Sequence, residues 1–360
     1  MRIAQIAPLY ESVPPARYGG TERVVHYLTE ELVRRGHEVV LFASGDSRTS
    51  AHLCACVPTA LRSAGHQGDP TIHEVIQLDH VVAQLDQFDI LHFHVGHVHF
   101  PLMSRLGRPH LSTVHGPLTA PPQAALYRHF DQLPLVSISD SQRRPVPAAN
   151  WVGTVYHGLP TDLYRLQAVP QNYLAFVGRI SPEKRLDRAI EIAREAGLPL
   201  KVAAKVDAAD QAYFRERIEP LLRDNPQVEF IGEVDDAAKQ ELLGNALALL
   251  FPIDWQEPFG LVMIEANACG TPVIAWRNGS TPELIDHGVN GYLVESIEAA
   301  TAAVHRLNQI DRCRVRSHFE VRFSATRQAE DYEQLYRHLI QAGRSDSPAH
   351  RSRHAPVAHA

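Results

Sequence analysis

Short apolar runs alternate with amphipathic stretches along this chain, in two successive series. Residues 2–7 are apolar and read as a buried strand. The loop LYESVPPARYGG follows, then an amphipathic stretch that Thr21 caps and that runs to about Arg35, where Gly36 ends it. HEVVLFAS is the next apolar run. Strand, helix and strand of this kind open a parallel sheet. Residues 47–70 are polar and broken, which predicts a loop or short helices, and a helix follows over 71–85. DILHFHV, HLSTVHG, LVSIS and WVGTVYHG complete the first series as strands. Each ends near Gly, Ser or a turn, where an open α/β sheet places its ligand loops.

The pattern weakens over 159–172, where LPTDLYRLQAVPQN carries two prolines and reads as a linker. YLAFVGR starts the second series. Ser181 as cap and Pro182 at the first helical position predict a helix through Ala196. KVAAKV, a helix over 209–223, VEFIG, a short helix capped by Asp235 and ALALLFPI come next. An apolar helix after EPFG, TPVIAW, a short helix from Thr281 and GYLV close the series. Helices are then expected over 297–308, 312–320 and 325–340. The last stretch, GRSDSPAHRSRHAPVAHA, is poor in bulky apolar residues and is expected to be disordered or peripheral. The fold class is therefore α/β, with two units of similar size. A cleft between two such units is a natural place for two substrates.

Composition narrows the function. A chain of 360 residues suits two domains. The formal net charge is −6, so no basic excess points to nucleic acid. No run reaches 18 apolar residues, and the N-terminal apolar run is shorter than the core of a signal peptide. Four cysteines suggest a reduced, cytoplasmic protein. Cys54 and Cys56 form a C-x-C without a second ligand pair nearby, which argues against zinc.

Two segments carry candidate chemistry. In EPFGLVMIEANACGTPVIA, Pro258 can open a helix and Gly260 allows close approach of a ligand. Glu257 then sits at a helix mouth, with Glu265 about two turns further on. The unpaired N–H groups of the mouth suit phosphate, and the acids suit hydroxyls. In VGRISPEK, Arg179 ends a strand and Lys184 enters the next helix, so both cations can meet phosphate over one cleft. Gly19 and Gly20 precede the first helix without forming a dinucleotide fingerprint, and no Walker A loop is present. His115, in THG at a strand end, can reach a ligand hydroxyl or carbonyl, or bond to backbone. In HFHVGHVHF, His92 and His94 share one strand face, and His97 and His99 fall in a loop beyond Gly96. One of them lining an acceptor site fits better than zinc, because no accompanying carboxylate or cysteine stands at metal-ligand spacing. Glu22, Glu30 and Glu283 read as ordinary helix acids, and Trp255 as packing.

Together these residues resemble the retaining glycosyltransferases of GT-B fold called family 4. The resemblance spans nearly the whole folded chain. It rests on the glycine loop, the HG pair, GR…PEK, the E-x7-E pattern from Glu257 to Glu265, and the later GS-TPELI and GVNGYLV segments. It implies two Rossmann-like domains facing across a cleft. Residues 1–160 would bind the acceptor and 170–324 the nucleotide sugar. Residues 325–341 would cross back as a helix, and 342–360 form a flexible tail. By the same resemblance Arg179 and Lys184 hold the diphosphate, and Gly20, Phe259, Gly260 and Leu261 supply backbone donors. Glu257 binds hydroxyls of the transferred sugar, Glu265 the ribose, and His115 contacts the sugar near the reacting centre. Many relatives have glycine after the lysine of PEK, where this chain has Arg185.

The expected reaction moves a hexosyl unit from a nucleoside-diphosphate sugar, a UDP- or GDP-sugar, to a hydroxyl acceptor with retained configuration. The acceptor is a saccharide or glycosylated metabolite. No tightly bound cofactor and no metal are expected, no nucleic acid partner, and at most peripheral contact with a membrane. The oligomeric state is open. Competing readings are a non-catalytic sugar or nucleotide binder and another nucleotide-sugar enzyme such as an epimerase.

Overall fold

The computed structural model describes residues 1–16, 19–66 and 68–345. In chain order the first series contains β1 (Arg2–Ile6), α1 (Gly20–Arg34), β2 (Glu38–Ser44), β3 (His52–Val57), α2 (Thr71–Val82), β4 (Ile90–Phe93), α3 (Phe100–Leu106), β5 (His110–Thr113), α4 (Pro121–His129), β6 (Leu135–Ser137), α5 (Asp140–Arg143) and β7 (Trp151–Thr154). The second contains β8 (Leu174–Arg179), α6 (Leu186–Ala196), β9 (Leu200–Lys205), α7 (Gln211–Tyr213), α8 (Glu219–Asp224), β10 (Val228–Gly232), α9 (Asp236–Asn245), β11 (Ala248–Phe251), α10 (Leu261–Ala268), β12 (Val273–Trp276), α11 (Thr281–Leu284), β13 (Gly291–Val294), α12 (Ile297–Val304) and α13 (Arg312–Arg322). Helix α14 (Ala325–Ser345) ends the described chain.

These elements form two Rossmann-like units. One comprises Met1–Ile138, Arg143–Gly158 and the segment from Ala325; the other comprises Ser139–Gln142 and Leu159–Ser324. The first holds a seven-stranded sheet in the order β3-β2-β1-β4-β5-β6-β7, and the second a six-stranded sheet in the order β10-β9-β8-β11-β12-β13. All the strand pairs are parallel. Central strands such as β4, β5 and β11 are buried along their whole length, because helices cover both faces. In each sheet the strand order reverses beside the first strand, between β1 and β4 and between β8 and β11. A crevice opens at the carboxyl ends of strands at such a reversal. Gly19 and Gly20 follow β1, while Arg179 ends β8 and the EPFG turn follows β11.

Several elements differ from the sequence expectation, each for a local reason. The segment expected to be a loop or short helices over 47–70 contains β3, HLCACV, a brief apolar run that the polar residues on either side of it mask. Helices α3, α4 and α5 are short and the first two carry proline in their opening turn, so they lack a full helical period. Gly19, not Thr21, is the cap of α1. The helix expected from Ser181 is split: Pro182–Lys184 form one 3-10 turn, Arg185 is left-handed at φ 56°, and α6 begins at Leu186. The helix expected over 209–223 contains a π segment, Phe214–Ile218. Pro220 has no N–H for the carbonyl four residues earlier, and a wider turn accommodates that loss. The mouth of α10 is Gly260 rather than Pro258. Asp235 caps α9 as expected, accepting from Ala238 N–H at 2.8 Å. Helix α14 includes residues 342–345, and the expected tail from 346 onward lies outside the described residues.

Within the first unit, α14 buries Tyr332 and Tyr336 among Ile3, Leu28, Leu32 and Val136. Glu333 on the same helix accepts from Arg35 Nε at 2.5 Å and Arg337 Nη2 at 2.6 Å, and bonds to His37 Nε2 at 3.0 Å. Burial works to raise the Glu333 carboxyl, but its bonds to Arg35 and His37 overcome that and bring it from 4.5 to about 2. A depressed folded value stabilises the fold above the unfolded value, and the benefit is lost as pH falls from 4.5 through about 2. Urea titrations should therefore find Glu333→Gln less stable than the parent by about 3 kcal/mol near neutrality. The gap should close as the pH approaches the folded value. A gap independent of pH would show that the carboxylate's charge is not what ties α14 down.

Candidate active site

In the second unit the cations and acids of the site come from three strand ends. Arg179, the last residue of β8, donates to Glu183 at 2.6 Å and has Asp210 at 3.6 Å and Asp207 at 3.9 Å. Its side chain keeps 37% of its surface. Burial disfavours the Glu183 charge, but bonds from its own backbone, Ser181 and Arg179 hold that carboxyl below its usual value. Lys184 closes the 3-10 turn and pairs directly with Glu257. Its ammonium also lies 5.0 Å from the Trp255 ring and 5.6 Å from the Phe251 ring, so the cation has two aromatic faces beside it. Trp255 Nε1 donates to the same Glu257 oxygen at 3.0 Å. Trp255 is therefore a partner of the acid and not packing alone.

The loop bearing Glu257 is held by neighbours from several directions. Ser280 N–H donates to the Glu257 carbonyl at 3.0 Å, and the Ser280 hydroxyl to the Phe259 carbonyl at 2.7 Å. The Ser139 hydroxyl donates to the Pro258 carbonyl at 2.6 Å. Gly279, at φ 57°, packs so closely that a Cβ there would stand 2.5 Å from the Glu257 carbonyl oxygen. Gly279 and Ser280 stand in the sequence only as the start of the GS-TPELI segment, with no role attached to either, and Ser139 carries no signal of its own. Arg185 adds a further tie: it bonds Asp187 at 2.8 Å and Asp254 at 2.9 Å, and Arg188 reaches Asp254 at 3.2 Å. A left-handed arginine costs about 1–3 kcal/mol. Those ion pairs hold it in that conformation, and they join the PEK turn to the loop ahead of Glu257.

Gly260 caps α10 at φ 87°, and a Cβ there would meet Met263 Cε at 2.7 Å. At the first turn of α10 Met263 N–H donates to the Gly260 carbonyl at 3.0 Å, while the amides of Leu261 and Val262 have no earlier helical carbonyl to serve. Phe259, just before the cap, is buried. Glu265, further along α10, is also buried and pairs with Lys239 at 2.9 Å. Each glutamate thus has its own lysine. From sequence, Arg179 and Lys184 are expected over one cleft; in the structure Lys184 pairs with Glu257, and Arg179 with Glu183, Asp207 and Asp210.

In the first unit Gly19 has φ 154°, and a Cβ on it would lie 2.7 Å from Pro15 Cβ. Gly20 begins α1. Glu22, expected on the helix surface, is buried, and burial pushes its carboxyl up to about 7. His115 follows β5 and shares a hydrogen bond of 2.9 Å with His94. Its ring stacks on His157 at 5.4 Å, and burial brings it down to about 3. It is therefore a neutral imidazole at ordinary pH. His94 continues to Gln5 at 2.7 Å, and His92 bonds both Tyr336 and Thr113 at 2.7 Å. His99, expected in a loop, is buried at the start of α3 and bonds Ser112 at 2.7 Å. The histidine run is thus mostly an interior network. His92 and His94 order the strand that lies next to β5 and so support His115.

Known proteins resemble the chain over both units. A family model described as Glycosyl transferases group 1 matches residues 166–323, and one described as Glycosyltransferase Family 4 matches residues 18–150. A glycogen synthase of Mycobacterium tuberculosis is 26% identical over 408 aligned residues, covering 92% of this chain and 94% of its own. An uncharacterized glycosyltransferase of Methanocaldococcus jannaschii is 25% identical over 337 residues, covering 82% and 85%. Among solved structures, a glycosyltransferase involved in avilamycin A biosynthesis superposes with a TM-score of 0.73 at 25% identity, covering 94% and 98%. A sucrose-phosphate synthase from Thermosynechococcus elongatus shares the fold, with a TM-score of 0.77 at 20% identity over 95% and 99%.

Proposed function

Because the chain belongs to glycosyltransferase family 4 of the group 1, GT-B enzymes, and transfers sugar from a nucleoside-diphosphate sugar to an acceptor, we infer that it moves a hexosyl unit to a hydroxyl with retained configuration. The observation that carries this reading is the Lys184–Glu257 pair beside the Gly260 mouth of α10, at the strand reversal of the second sheet.

Arg179, Lys184 and the amides that open α10, those of Leu261 and Val262, bind the donor diphosphate. Glu257 holds hydroxyls of the transferred sugar and Glu265 the ribose. The bond from the anomeric carbon to the phosphate oxygen breaks, and negative charge collects on the leaving diphosphate. Fixed cations and amides aimed at that charge lower the barrier. The sugar carbon becomes oxocarbenium-like, as in glycoside cleavage. The acceptor oxygen bonds to the same face, and the leaving phosphate takes its proton. Gly19 and Gly20 contribute to the donor site, and neutral His115 contributes a hydrogen bond rather than a charge. The first unit takes the acceptor and the second the donor. Cations and amides do the work a metal does elsewhere, so none is required for transfer. The acceptor is a saccharide or glycosylated metabolite, in keeping with relatives named glycogen synthase and an avilamycin glycosyltransferase. We place the protein in the cytoplasm, where its four free thiols remain reduced. Among the described residues no helix is long and apolar enough to cross a membrane.

A binding screen of UDP, GDP, ADP and TDP tests this reading, followed by mass spectrometry of donor hydrolysis with sugars of the winning nucleotide. One diphosphate should bind best, its sugar should be released slowly without acceptor, and chelation should leave the rate unchanged. A protein that binds a nucleotide yet never releases or transfers its sugar is a binding module. Product of inverted configuration removes the retaining mechanism.

A further inference from the structure

Three soft or borderline ligands meet in the first unit, away from the residues assigned to sugar transfer. Cys54 and Cys56 lie on the edge strand β3, and His80 on α2. One sulfur or ring nitrogen from each lies within 4.8 Å of the others. The strand register explains the convergence. Cys54 pairs with Phe42, Ala55 with Ala43, and Val57 with Ser44, so Cys56 is an extra residue in the ladder. A bulge of this kind re-aims a side chain. Both cysteines pack against the core that contains Leu78 and Val81 of α2. Gln84 gives a second, independent sign. Its amide points at Cys54 Sγ at 3.8 Å and donates to the His80 carbonyl at 3.2 Å. Gln84 therefore ties the Cys54 sulfur to the end of α2 that carries His80.

We propose that Cys54, Cys56 and His80 bind one Zn²⁺-class ion, clipping the edge strand β3 to α2. Two sulfurs and one imidazole suit a tetrahedral d¹⁰ cation, with water as the fourth ligand. Ligand atoms around tetrahedral zinc stand closer together than 4.8 Å, so small side-chain rotations complete the set. On binding, each thiol gives its proton to solvent and the histidine binds as the neutral ring. Four strand steps, roughly 19 Å, separate β3 from β5 and its His115. The ion therefore takes no part in the transfer reaction, and the proposal stands independently of it. Its effect is to brace an edge strand that has a pairing strand on one side alone.

Cobalt titration of the reduced, metal-free full chain tests this. One equivalent of Co²⁺ should raise a sulfur-to-metal charge-transfer band, Zn²⁺ should displace it, and the thermal midpoint should rise with either ion. Even outer partners of a metal shift affinity about 10–100-fold, so Cys56→Ser and His80→Ala should each weaken binding more than about 100-fold. His80→Ala changes a half-buried helix residue and guards against a folding failure of the cysteine variant. Three results would overturn the site. One is the absence of a sulfur band while alkylation shows both thiols reduced. Another is a band unchanged by His80→Ala. The third is binding that survives both substitutions, which would place the ion on other histidines.

Discussion

Lys184→Ala should lower turnover at saturating donor about 100- to 1,000-fold while leaving the fold intact, the loss typical when one preorganised group facing transition-state charge is removed. The side chain has two jobs. Before the donor arrives its ammonium neutralises Glu257, a buried carboxylate whose other partner is the Trp255 N–H. With donor bound, it faces the diphosphate that leaves. Alanine removes the second function and leaves Glu257 with a charge that only a neutral donor serves. Glu257 therefore loses the ion pair that fixes its orientation, and that spoils its grip on the sugar. Glu257→Gln keeps the shape and loses the charge, so it should cost much as well. Because the two residues touch, the double variant should lose far less than the sum of the singles. Steady-state kinetics of all four proteins with a common donor, alongside thermal melts, decides the matter. Additive losses would mean that the pair is not a functional unit. Unchanged turnover in Lys184→Ala would remove it from the donor site.

Gly279→Ala should be nearly as damaging, although Gly279 needs no contact with a substrate. Its φ of 57° is left-handed, and an added Cβ would press on both the N–H and the carbonyl of Glu257. These are backbone atoms held by Ser280 and Trp255, so they cannot turn aside as a side chain would. Displacing a reacting group by about 1 Å can cost about 100-fold in rate. The crowding should also destabilise the fold by about 1–3 kcal/mol. Gly288→Ala is the control. That residue is also left-handed, at φ 80°, but a Cβ there has nothing within 4 Å. It should show the backbone cost without the loss of rate. Equal kinetics for the two variants would mean that the close approach of Gly279 does not set the position of Glu257.

Both predictions concern residues whose importance is uneven in the sequence. Lys184 and Glu257 stand out because PEK and EPFG sit after apolar runs that could only be strand ends. Gly279 belongs to the GS-TPELI segment, but its role is not legible there, since a glycine in NGST is an ordinary turn residue until its neighbour is known. The same contrast runs through the fold. Fully buried strands such as ALLF of β11 declare themselves by apolar content. The edge strand β3 does not, because its apolar run is short and set among polar, broken neighbours. Arg185 hides a break in a helix, because an arginine gives no local warning of a left-handed backbone.

Local order was therefore written in the sequence: the two α/β series, the position of Arg179, Lys184, Glu257 and the Gly260 turn at strand ends, and the motif pattern that points to family 4. Strand periodicity and turn chemistry act between near neighbours, so they need no folded context. Pairing required the tertiary structure. Lys184 and Glu257 are 73 positions apart, Lys239 and Glu265 are 26, and Cys54 meets His80 only because α2 packs on the sheet edge. Parallel sheets join distant segments through crossovers, and the register of those crossovers decides which lysine meets which carboxylate. A sequence lists the charges, and only the packed sheet determines which of them neutralise one another.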